Sequence, residues 1–198
     1  MQKSLEFYFD FGSPTTYLAW TQLPKICAEV GASLVYKPIL LGGVFQMTGN
    51  ASPATVPAKG VYMGADLARF ARRYGVAFAF NPYFPINTLT MMRIATGVAA
   101  SRPADLDRLL AAIFPAMWVD GRNLGSAEIL AETLRDSGLP ADALVAMATD
   151  PKVKDALKTE TEQAVARGIF GAPTMFVGTE MFFGQDRMDF VREALLAS

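Results

Sequence analysis

The stretch DFGSPTTY, residues 10–17, decides how the first part of this sequence folds. It overlaps the end of an alternating run, Leu5–Phe11, whose two faces are both apolar in bulk, as in a strand buried inside a sheet. Gly12 and Ser13 then interrupt the strand, and Pro14 suits the first turn of a helix with Ser13 at or beside its N-cap. The stretch therefore predicts a buried strand that turns directly into a helix and carries a hydroxyl at the turn.

Outward from this turn, apolar spacing continues the helix to Gly31, and Ser33–Lys37 is predicted as a second strand. Residues 42–58 are rich in Gly, Ser, Pro and Ala and are predicted to form a loop. Beyond them, helical spacing recurs as far as about Arg167, and Pro115 is expected to kink or end one of these helices. The middle of the chain is therefore predicted to be an all-helical block.

The last part of the chain returns to strands. Thr174–Val177 and Met181–Phe183 flank residues 178–180 and are predicted to form a short hairpin. Asp186 is then expected to cap a last helix. A sheet whose strands come from both ends of the chain, with helices inserted between them, is a thioredoxin-like arrangement.

The counts of charged residues, His and Cys exclude several classes of function. Lys and Arg total 18 against 19 for Asp and Glu over 198 residues, a balance that argues against nucleic-acid binding and against an anionic membrane surface. The sequence has no His and one Cys, Cys27, which excludes His-dependent triads, an ordinary His-based zinc site and a dithiol redox centre. An enzyme of this composition is expected to take its nucleophile from a cofactor or a substrate.

The compartment is predicted from the N-terminal residues and the cysteine count. The first six residues, MQKSLE, show neither the apolar core nor the small-residue cleavage site of a signal peptide. No run approaches the roughly 18–20 apolar residues of a membrane span, and a single cysteine cannot form a disulfide within the chain. We expect a cytoplasmic protein with no membrane partner and no metal.

Two segments near the ends of the chain carry a specific family resemblance. Residues 10–17 resemble the first strand and active-site turn of the DsbA-like thioredoxin superfamily, with Ser13 and Thr16 at the positions where redox members have cysteines. Residues 168–187, GIFGAPTMFVGTEMFFGQDR, resemble the 2-hydroxychromene-2-carboxylate isomerases and the related kappa-class glutathione transferases.

The resemblance extends over nearly the whole chain, because PAKGVYM at 57–63 and FPINT at 84–88 match the same family. It implies an α/β protein with a thioredoxin-like fold and a large all-helical insertion. Residues 1–45 and 168–198 would form a discontinuous thioredoxin-like domain, and residues 46–167 would form the helical insertion domain.

The resemblance also implies that glutathione is bound as a cofactor, with Ser13 as the predicted catalytic residue. A hydroxyl at a helix N-terminus can donate a hydrogen bond to an anion held against free backbone N–H groups. Ser13 would therefore stabilise the glutathione thiolate and lower the pKa of the thiol. No His is present to deprotonate Ser13, which argues against the serine as a nucleophile. The alternative is a plain Ser N-cap without a ligand.

Further glutathione contacts are implied near the C-terminus. By resemblance, the Ala172–Pro173 bond is cis and offers the Ala172 backbone to the cysteinyl unit as a one-residue piece of β-pairing; a trans proline that merely starts a strand is the alternative. Gln185 and Asp186 lie where a helix N-terminus and a carboxylate could hold the γ-glutamyl head. Alternatively, Asp186 is an N-cap beside a surface Gln.

Two residues of the middle segment complete the predicted site. Lys59 would pair with the glycyl carboxylate, although a lysine at such a position is usually a solvated surface charge. Asn87 is either a glutathione or substrate contact or part of a turn before Thr88. Some aromatic residues could line a cleft for a small aromatic substrate, but such residues are more often buried for packing: Phe45, Tyr83, Phe84, Trp118 and Phe183.

The sequence therefore favours a glutathione-dependent isomerase that acts on 2-hydroxychromene-2-carboxylate-like aromatic ketoacids by reversible addition of a thiolate. A kappa-class-like glutathione transferase or peroxidase would use the same site and release a conjugate or an oxidised product. A non-catalytic binding module that kept the thioredoxin scaffold and lost its cysteines is a third hypothesis. Related enzymes are commonly dimers, so a homodimer is one expectation, without a decisive interface signal in the sequence.

Overall fold

A four-stranded mixed sheet forms the centre of the fold. The computed structural model describes residues 3–198. The strands, in chain order, are β1 (Ser4–Phe9), β2 (Ser33–Pro38), β3 (Thr174–Val177) and β4 (Glu180–Phe183). They lie side by side in the order β2–β1–β3–β4, with β1 parallel to β2 and antiparallel to β3, and β3 antiparallel to β4. Strands from both ends of the chain therefore meet at the centre of the sheet, as expected of a thioredoxin-like fold.

Helices occupy most of the chain between β2 and β3, and one further helix lies on either side of that stretch. In the described residues the helices are α1 (Pro14–Val30), α2 (Leu41–Thr48), α3 (Pro57–Tyr74), α4 (Leu89–Ser101), α5 (Leu106–Trp118), α6 (Ala127–Asp136), α7 (Ala141–Met147), α8 (Pro151–Ala166) and α9 (Met188–Ala197). Short 3₁₀ turns cover Pro53–Thr55, Pro103–Asp105 and Gln185–Arg187. Of the helices within residues 3–198, none combines the length and the apolar composition needed to cross a membrane. The division of the chain into a thioredoxin-like domain and an insertion domain stays a prediction.

The turn in DFGSPTTY forms largely as its sequence predicts. Ser13 is the N-cap of α1, where its Oγ accepts a hydrogen bond from the Thr16 N–H at 3.2 Å, and Pro14 is the first helical residue. The strand ends at Phe9 rather than Phe11. The turn begins directly after it and is held by the side chain of Asp10, as described below.

The predicted loop over residues 42–58 is wrong at its start, where α2 forms a helix. The backbone N–H of Leu40 donates to Thr161 Oγ1 at 3.0 Å. The N–H of Leu41 donates to Asp10 Oδ2 at 2.8 Å. Distant side chains thus satisfy donors that a helix N-terminus otherwise leaves free, and these tertiary contacts override the weak helix propensity of the two glycines that follow.

Pro115 does not end its helix, since α5 continues to Trp118. A proline inside a helix removes one backbone hydrogen bond and disfavours the preceding turn. Here it lies in the last turn, where most of α5 has already formed. The apolar stripe of α5 is buried in the main core, including Leu109, Ile113 and Trp118 itself.

β1 packs against apolar side chains on both faces of the sheet, as the alternation in Leu5–Phe11 predicts. On one face, Phe7 and Phe9 stack with ring centroids 5.8 Å apart inside the main core. On the other face, Tyr8 packs edge-on against Phe176 at a centroid distance of 5.8 Å. β1 is therefore a central strand between two apolar layers.

The register between β1 and β3 brings two distant segments of the chain together. Tyr8 lies opposite Thr174, so the turn at Ser13 comes next to the segment that precedes β3. Ser13 and Ala172 are 159 residues apart in the sequence and are joined there by a hydrogen bond. The sheet topology thereby places residues from both ends of the chain at one site.

Candidate active site

A cavity of about 800 Å³ opens where the turn at Ser13 meets the segment before β3. Its walls come from the β1–α1 turn, the start of α2 and the segment after it, the first half of α3, the loop before α4, the segment before β3, and the turn between β4 and α9. The volume lies within the roughly 300–1,000 Å³ typical of small-molecule sites. Most of the residues predicted for the site lie on these walls.

Ser13 lies where the β1–α1 turn meets the segment before β3, and its hydroxyl makes hydrogen bonds to neighbouring residues. The residue is 5% exposed. Its Oγ accepts from the Thr16 N–H, lies 2.8 Å from Thr15 Oγ1, and donates to the Ala172 carbonyl oxygen at 3.0 Å. Pro14 has no N–H, and the N–H groups of Thr16 and Tyr17 donate to Ser13, so this end of α1 offers an anion the Thr15 N–H and the positive end of the helix dipole.

A second hydroxyl on the cavity belongs to Thr15, which the sequence analysis did not single out. Its Oγ1 lies 3.3 Å from the Ala172 carbonyl oxygen, and the residue lines the cavity. Thr16, at the second redox position, is fully buried, and its Oγ1 has no hydrogen-bond partner among residues 3–198. Successive helical residues point about 100° apart, and the sequence motif alone does not say which of the two faces a ligand.

Asp10 is a buried carboxylate that the sequence analysis missed. It is 1% exposed and lines the cavity. Its oxygens accept hydrogen bonds from the N–H groups of Gly12 and Leu41, each at 2.8 Å. Burial raises the pKa of this carboxyl, while these bonds and one from Thr88 oppose the shift. Asp10 therefore ties the Ser13 turn to the start of α2, and its position directly after a buried strand was the available signal.

The Ala172–Pro173 peptide bond is cis, as the resemblance implies. Ala172 lines the cavity, and its carbonyl oxygen is within hydrogen-bond distance of the hydroxyls of both Ser13 and Thr15. Within the described part of the chain, its N–H donates to no other group. The bond between Phe84 and Pro85 is also cis, which the sequence analysis did not anticipate.

Gln185 and Asp186 lie together in a 3₁₀ turn on the cavity wall. Gln185 is buried, and its carbonyl oxygen accepts a hydrogen bond from the Tyr74 hydroxyl at the end of α3. The prediction that Asp186 caps the last helix is wrong. Its carboxylate pairs with Arg187, and the 3₁₀ turn intervenes before α9 begins at Met188.

The two predicted contacts of the middle segment differ in their placement. Lys59 is exposed in the first turn of α3 and lines the cavity, and no carboxylate of the described residues forms an ion pair with it. Asn87 does not line the cavity. Its Oδ1 accepts a hydrogen bond from the Leu89 N–H at 3.0 Å. This contact agrees with the alternative prediction, that Asn87 is part of a turn before Thr88.

The predicted aromatic residues divide between the cavity and the rest of the protein. The cavity walls carry aromatic rings from several elements: Phe45, Tyr62, Phe84, Phe170 and Phe183. Trp118 instead lies in the core, where its Nε1 donates to the carbonyl oxygen of Phe11 at 2.8 Å. Tyr83 is exposed and lies outside the cavity lining. Part of the cavity is therefore an aromatic surface.

The remaining reactive group lies away from the cavity. Cys27 is buried in α1, and burial raises its pKa to about 11, which keeps it a thiol at neutral pH. Within residues 3–198, no three His, Cys, Asp or Glu side chains are grouped to hold a metal ion. The cavity therefore offers hydroxyls, backbone dipoles and charged side chains as its own chemical groups.

Comparison with known proteins places the chain among thioredoxin-fold proteins. Residues 4–196 match the family model of the DSBA-like thioredoxin domain. The 2-hydroxychromene-2-carboxylate isomerase of Sphingobium xenophagum is 33% identical over 99% of this chain and 100% of that protein. Glutathione S-transferase kappa 1 of Homo sapiens is 26% identical over 98% of this chain and 92% of that protein.

Solved structures agree with the sequence comparisons. A selenomethionine 2-hydroxychromene-2-carboxylate isomerase superposes with a TM-score of 0.86 at 29% identity, covering 97% of this chain and 94% of that chain. DsbA of Pseudomonas aeruginosa superposes with a TM-score of 0.60 at 15% identity, covering 99% and 83%, a likeness of fold alone. The α/β thioredoxin-like fold with inserted helices is thereby confirmed.

Proposed function

Since this chain belongs to the family of DSBA-like thioredoxin domains, we propose that it is a glutathione-dependent isomerase of 2-hydroxychromene-2-carboxylate-like aromatic ketoacids. Its similarity to isomerases and kappa-class transferases supports an isomerase or glutathione-transferase-like activity. The fold alone does not imply an activity. The observation that carries the finer proposal is the Ser13 hydroxyl at the N-cap of α1, beside the Ala172 carbonyl in an aromatic-walled cavity.

The groups on the cavity walls fit the parts of a glutathione molecule. Ala172 presents a carbonyl and an N–H that an extended peptide can pair with, as in the addition of one residue to a sheet. Lys59, which has no carboxylate partner in the described chain, fits the glycyl carboxylate. Gln185 and the carboxylate of Asp186 fit the γ-glutamyl head, whose ammonium needs an acceptor. Ser13 would then face the cysteinyl sulfur.

When bound, glutathione supplies a thiolate that adds reversibly to the double bond conjugated with the substrate ketone, so that this bond can rotate before the thiolate leaves unchanged. Ser13 donates a hydrogen bond to the sulfur and, with the N-terminus of α1, favours the anion over the thiol. The aromatic rings on the walls hold the substrate against the sulfur and exclude water from it. The protein's own contribution is thus stabilisation of the anion and positioning.

The substitution Ser13→Ala tests the role of the hydroxyl. We expect glutathione-dependent turnover to fall about 10- to 100-fold, because a hydrogen bond to a charged group contributes roughly 1.5–3 kcal/mol. Steady-state isomerisation of a hydroxychromene carboxylate measures it. Ser126→Ala is the matched control, since Ser126 is the N-cap of α6 without a side-chain hydrogen bond. Wild-type turnover by the Ser13→Ala variant would contradict the proposed role.

A kappa-class-like transferase or peroxidase is the second candidate, supported by the human relative. Total reduced glutathione after many turnovers separates the activities, because an isomerase leaves it unchanged, a transferase consumes one molecule per product, and a peroxidase oxidises two to a disulfide.

Calorimetry with millimolar glutathione tests the premise that both candidates share, which is that the protein binds glutathione. Absence of heat and of a thermal shift would argue for a non-catalytic module. The cytoplasmic location and the homodimer stay predictions.

A further inference from the structure

Thr15 brings a second hydroxyl into the site that the proposed function does not use. The residue is half-buried and lines the cavity, with its Oγ1 2.8 Å from Ser13 Oγ. We propose that Thr15 is a positioning residue that commits the Ser13 hydroxyl to donating to the glutathione thiolate. This inference rests on the proposed function, and its test below separates the two.

The hydrogen-bonding capacity of Ser13 Oγ leads to this role. A serine hydroxyl has one proton to donate and two lone pairs to accept with. One lone pair accepts the Thr16 N–H at 3.2 Å, and the proton is directed to the Ala172 carbonyl oxygen at 3.0 Å. Thr15 has one proton, which can be donated to the Ala172 carbonyl oxygen at 3.3 Å or, across the shorter 2.8 Å contact, to the second lone pair of Ser13 Oγ. In the second arrangement both lone pairs of Ser13 are filled, and Ser13 can act only as a donor.

Glutathione binding would exchange one donor for another at the Ala172 carbonyl. In the proposed pairing, the cysteinyl N–H approaches this oxygen, which keeps a donor when the Ser13 proton turns to the sulfur. The 2.8 Å contact between Ser13 and Thr15 can then remain a hydrogen bond only with Thr15 as the donor. The hydrogen bonds from Thr15 to Ser13 and from Ser13 to sulfur run in the same direction, and each polarises the next.

Without the Thr15 hydroxyl, Ser13 Oγ would keep one lone pair free. The S–H of a neutral thiol could donate to that lone pair, so that Ser13 would stabilise the thiol as well as the thiolate. A thiol pKa depends on the difference between these two stabilisations. Thr15 therefore lowers the pKa of the bound thiol by denying the neutral form a partner, and the thiol proton passes to solvent.

Titration of bound glutathione, followed by the ultraviolet absorption of the thiolate, tests this role without turnover. In the wild-type protein, the thiol pKa should lie below that of free glutathione measured in parallel. In Thr15→Val it should be higher than in wild type by about one unit, equivalent to 1.36 kcal/mol. Thr15→Ser should restore it. Thr21→Val is the matched control, because the Thr21 hydroxyl donates to the Leu18 carbonyl within α1 at 2.7 Å.

The pH dependence of kcat at saturating glutathione is a second readout. Below the pKa of the bound thiol, Thr15→Val should turn over about tenfold more slowly than wild type, and its KM for glutathione should fall, because its Ser13 also accepts a hydrogen bond from the neutral thiol. Above that pKa the two proteins should converge, because the thiolate is fully formed in both. A merely structural role would instead lower kcat by the same factor at every pH.

The outcomes separate the two levels of inference. A Thr15→Val protein with the wild-type thiol pKa would overturn the role of Thr15 and leave the proposed function standing. A wild-type protein that binds no glutathione, or leaves its thiol pKa unchanged, would overturn the proposed function and this inference with it. Thermal unfolding checks that each variant is folded. If Thr15→Val is not, Thr15→Ala takes its place in the same titration.

Discussion

At the scale of single residues, Gly12 shows how closely the walls of the site approach each other. A Cβ at this position would lie 3.0 Å from Thr88 Cγ2 and 3.3 Å from Asp10 Oδ1. The turn has little freedom to move away, because the Gly12 N–H is bonded to the buried Asp10 carboxylate. Only glycine therefore fits at this position without displacing its neighbours.

The substitution Gly12→Ala should lower the free energy of unfolding by about 1–3 kcal/mol, the usual cost of an inserted methyl in a packed site. Urea denaturation measures it. Gly64→Ala is the matched control, because Gly64 lies inside α3 with no atom within 4 Å of an added Cβ. That variant should gain about 0.5–1 kcal/mol, since alanine favours a helix over glycine. Equal stabilities for the two variants would contradict the packing at Gly12.

Asp10 predicts a pH dependence of stability. Burial raises the pKa of this carboxyl in the folded state above its ordinary value of 3.8. The folded protein therefore binds this proton more readily than the unfolded chain. The resulting contribution to stability is fully present below pH 3.8 and is lost as the pH rises through the folded pKa.

The measurement for Asp10 is the free energy of unfolding of wild type minus that of Asp10→Asn, from urea denaturation at a series of pH values. The Asn side chain does not titrate, so other groups cancel in this difference. We expect the difference to fall as the pH rises through the window. A constant difference would show that the hydrogen bonds to Asp10 offset its burial, and a rising difference would show that they outweigh it; either would contradict the expectation.

Residues with a local role were the easiest to predict from the sequence. The capping role of Ser13 needs only the chain around it, and the motif before Thr174 indicated the cis bond at Pro173. The roles of Asp10 and Thr15 depend on the backbone groups that the fold brings near them, at Leu41 and Ala172. The position of Asp10 after a buried strand marks it as a candidate, but no spacing within the sequence identifies these backbone partners.

At the scale of elements, α2 shows why a glycine-rich segment can be helical. Its start is held from two sides, by the Asp10 carboxylate and by the Thr161 hydroxyl of α8. By contrast, α8 is capped by the residue directly before it in the sequence. Asp150 is its N-cap and accepts a hydrogen bond from the Lys152 N–H at 2.8 Å. Sequence patterns identified α8 and failed for α2, because only the first carries its own start signal.

The substitution Thr161→Val should destabilise the protein and loosen α2. It leaves the partly buried Leu40 N–H without its acceptor, which costs roughly 1 kcal/mol. Urea denaturation measures the loss, and hydrogen exchange should be faster at the first amides of α2 than elsewhere. Thr133→Val is the control, because the buried Thr133 hydroxyl only donates to the Ile129 carbonyl within α6. Unchanged exchange in α2 would contradict this account.

At the scale of the whole molecule, a sheet built from strands at both ends of the chain could be predicted and the cavity could not. The pattern of apolar residues near both ends of the chain predicts the strands, and the family resemblance implies that they form one thioredoxin-like sheet. The cavity walls come from six separate segments. Phe45 and Trp118 cannot be told apart by their aromatic character in the sequence. Phe45 lines the cavity, whereas Trp118 is buried in the core. Apolar surface serves both purposes, so composition cannot separate them.

The contact between Ser13 and Ala172 also sets when the protein can acquire its site during synthesis. A ribosome makes the Ser13 turn among the first residues of the chain, whereas β3 and the turn before α9 are among the last. A nascent chain that stops short of Ala172 can contain most of the helices and still lacks the carbonyl that Ser13 contacts and the wall between β4 and α9. The wall opposite Ser13 is therefore completed only when the last residues of the chain have been made.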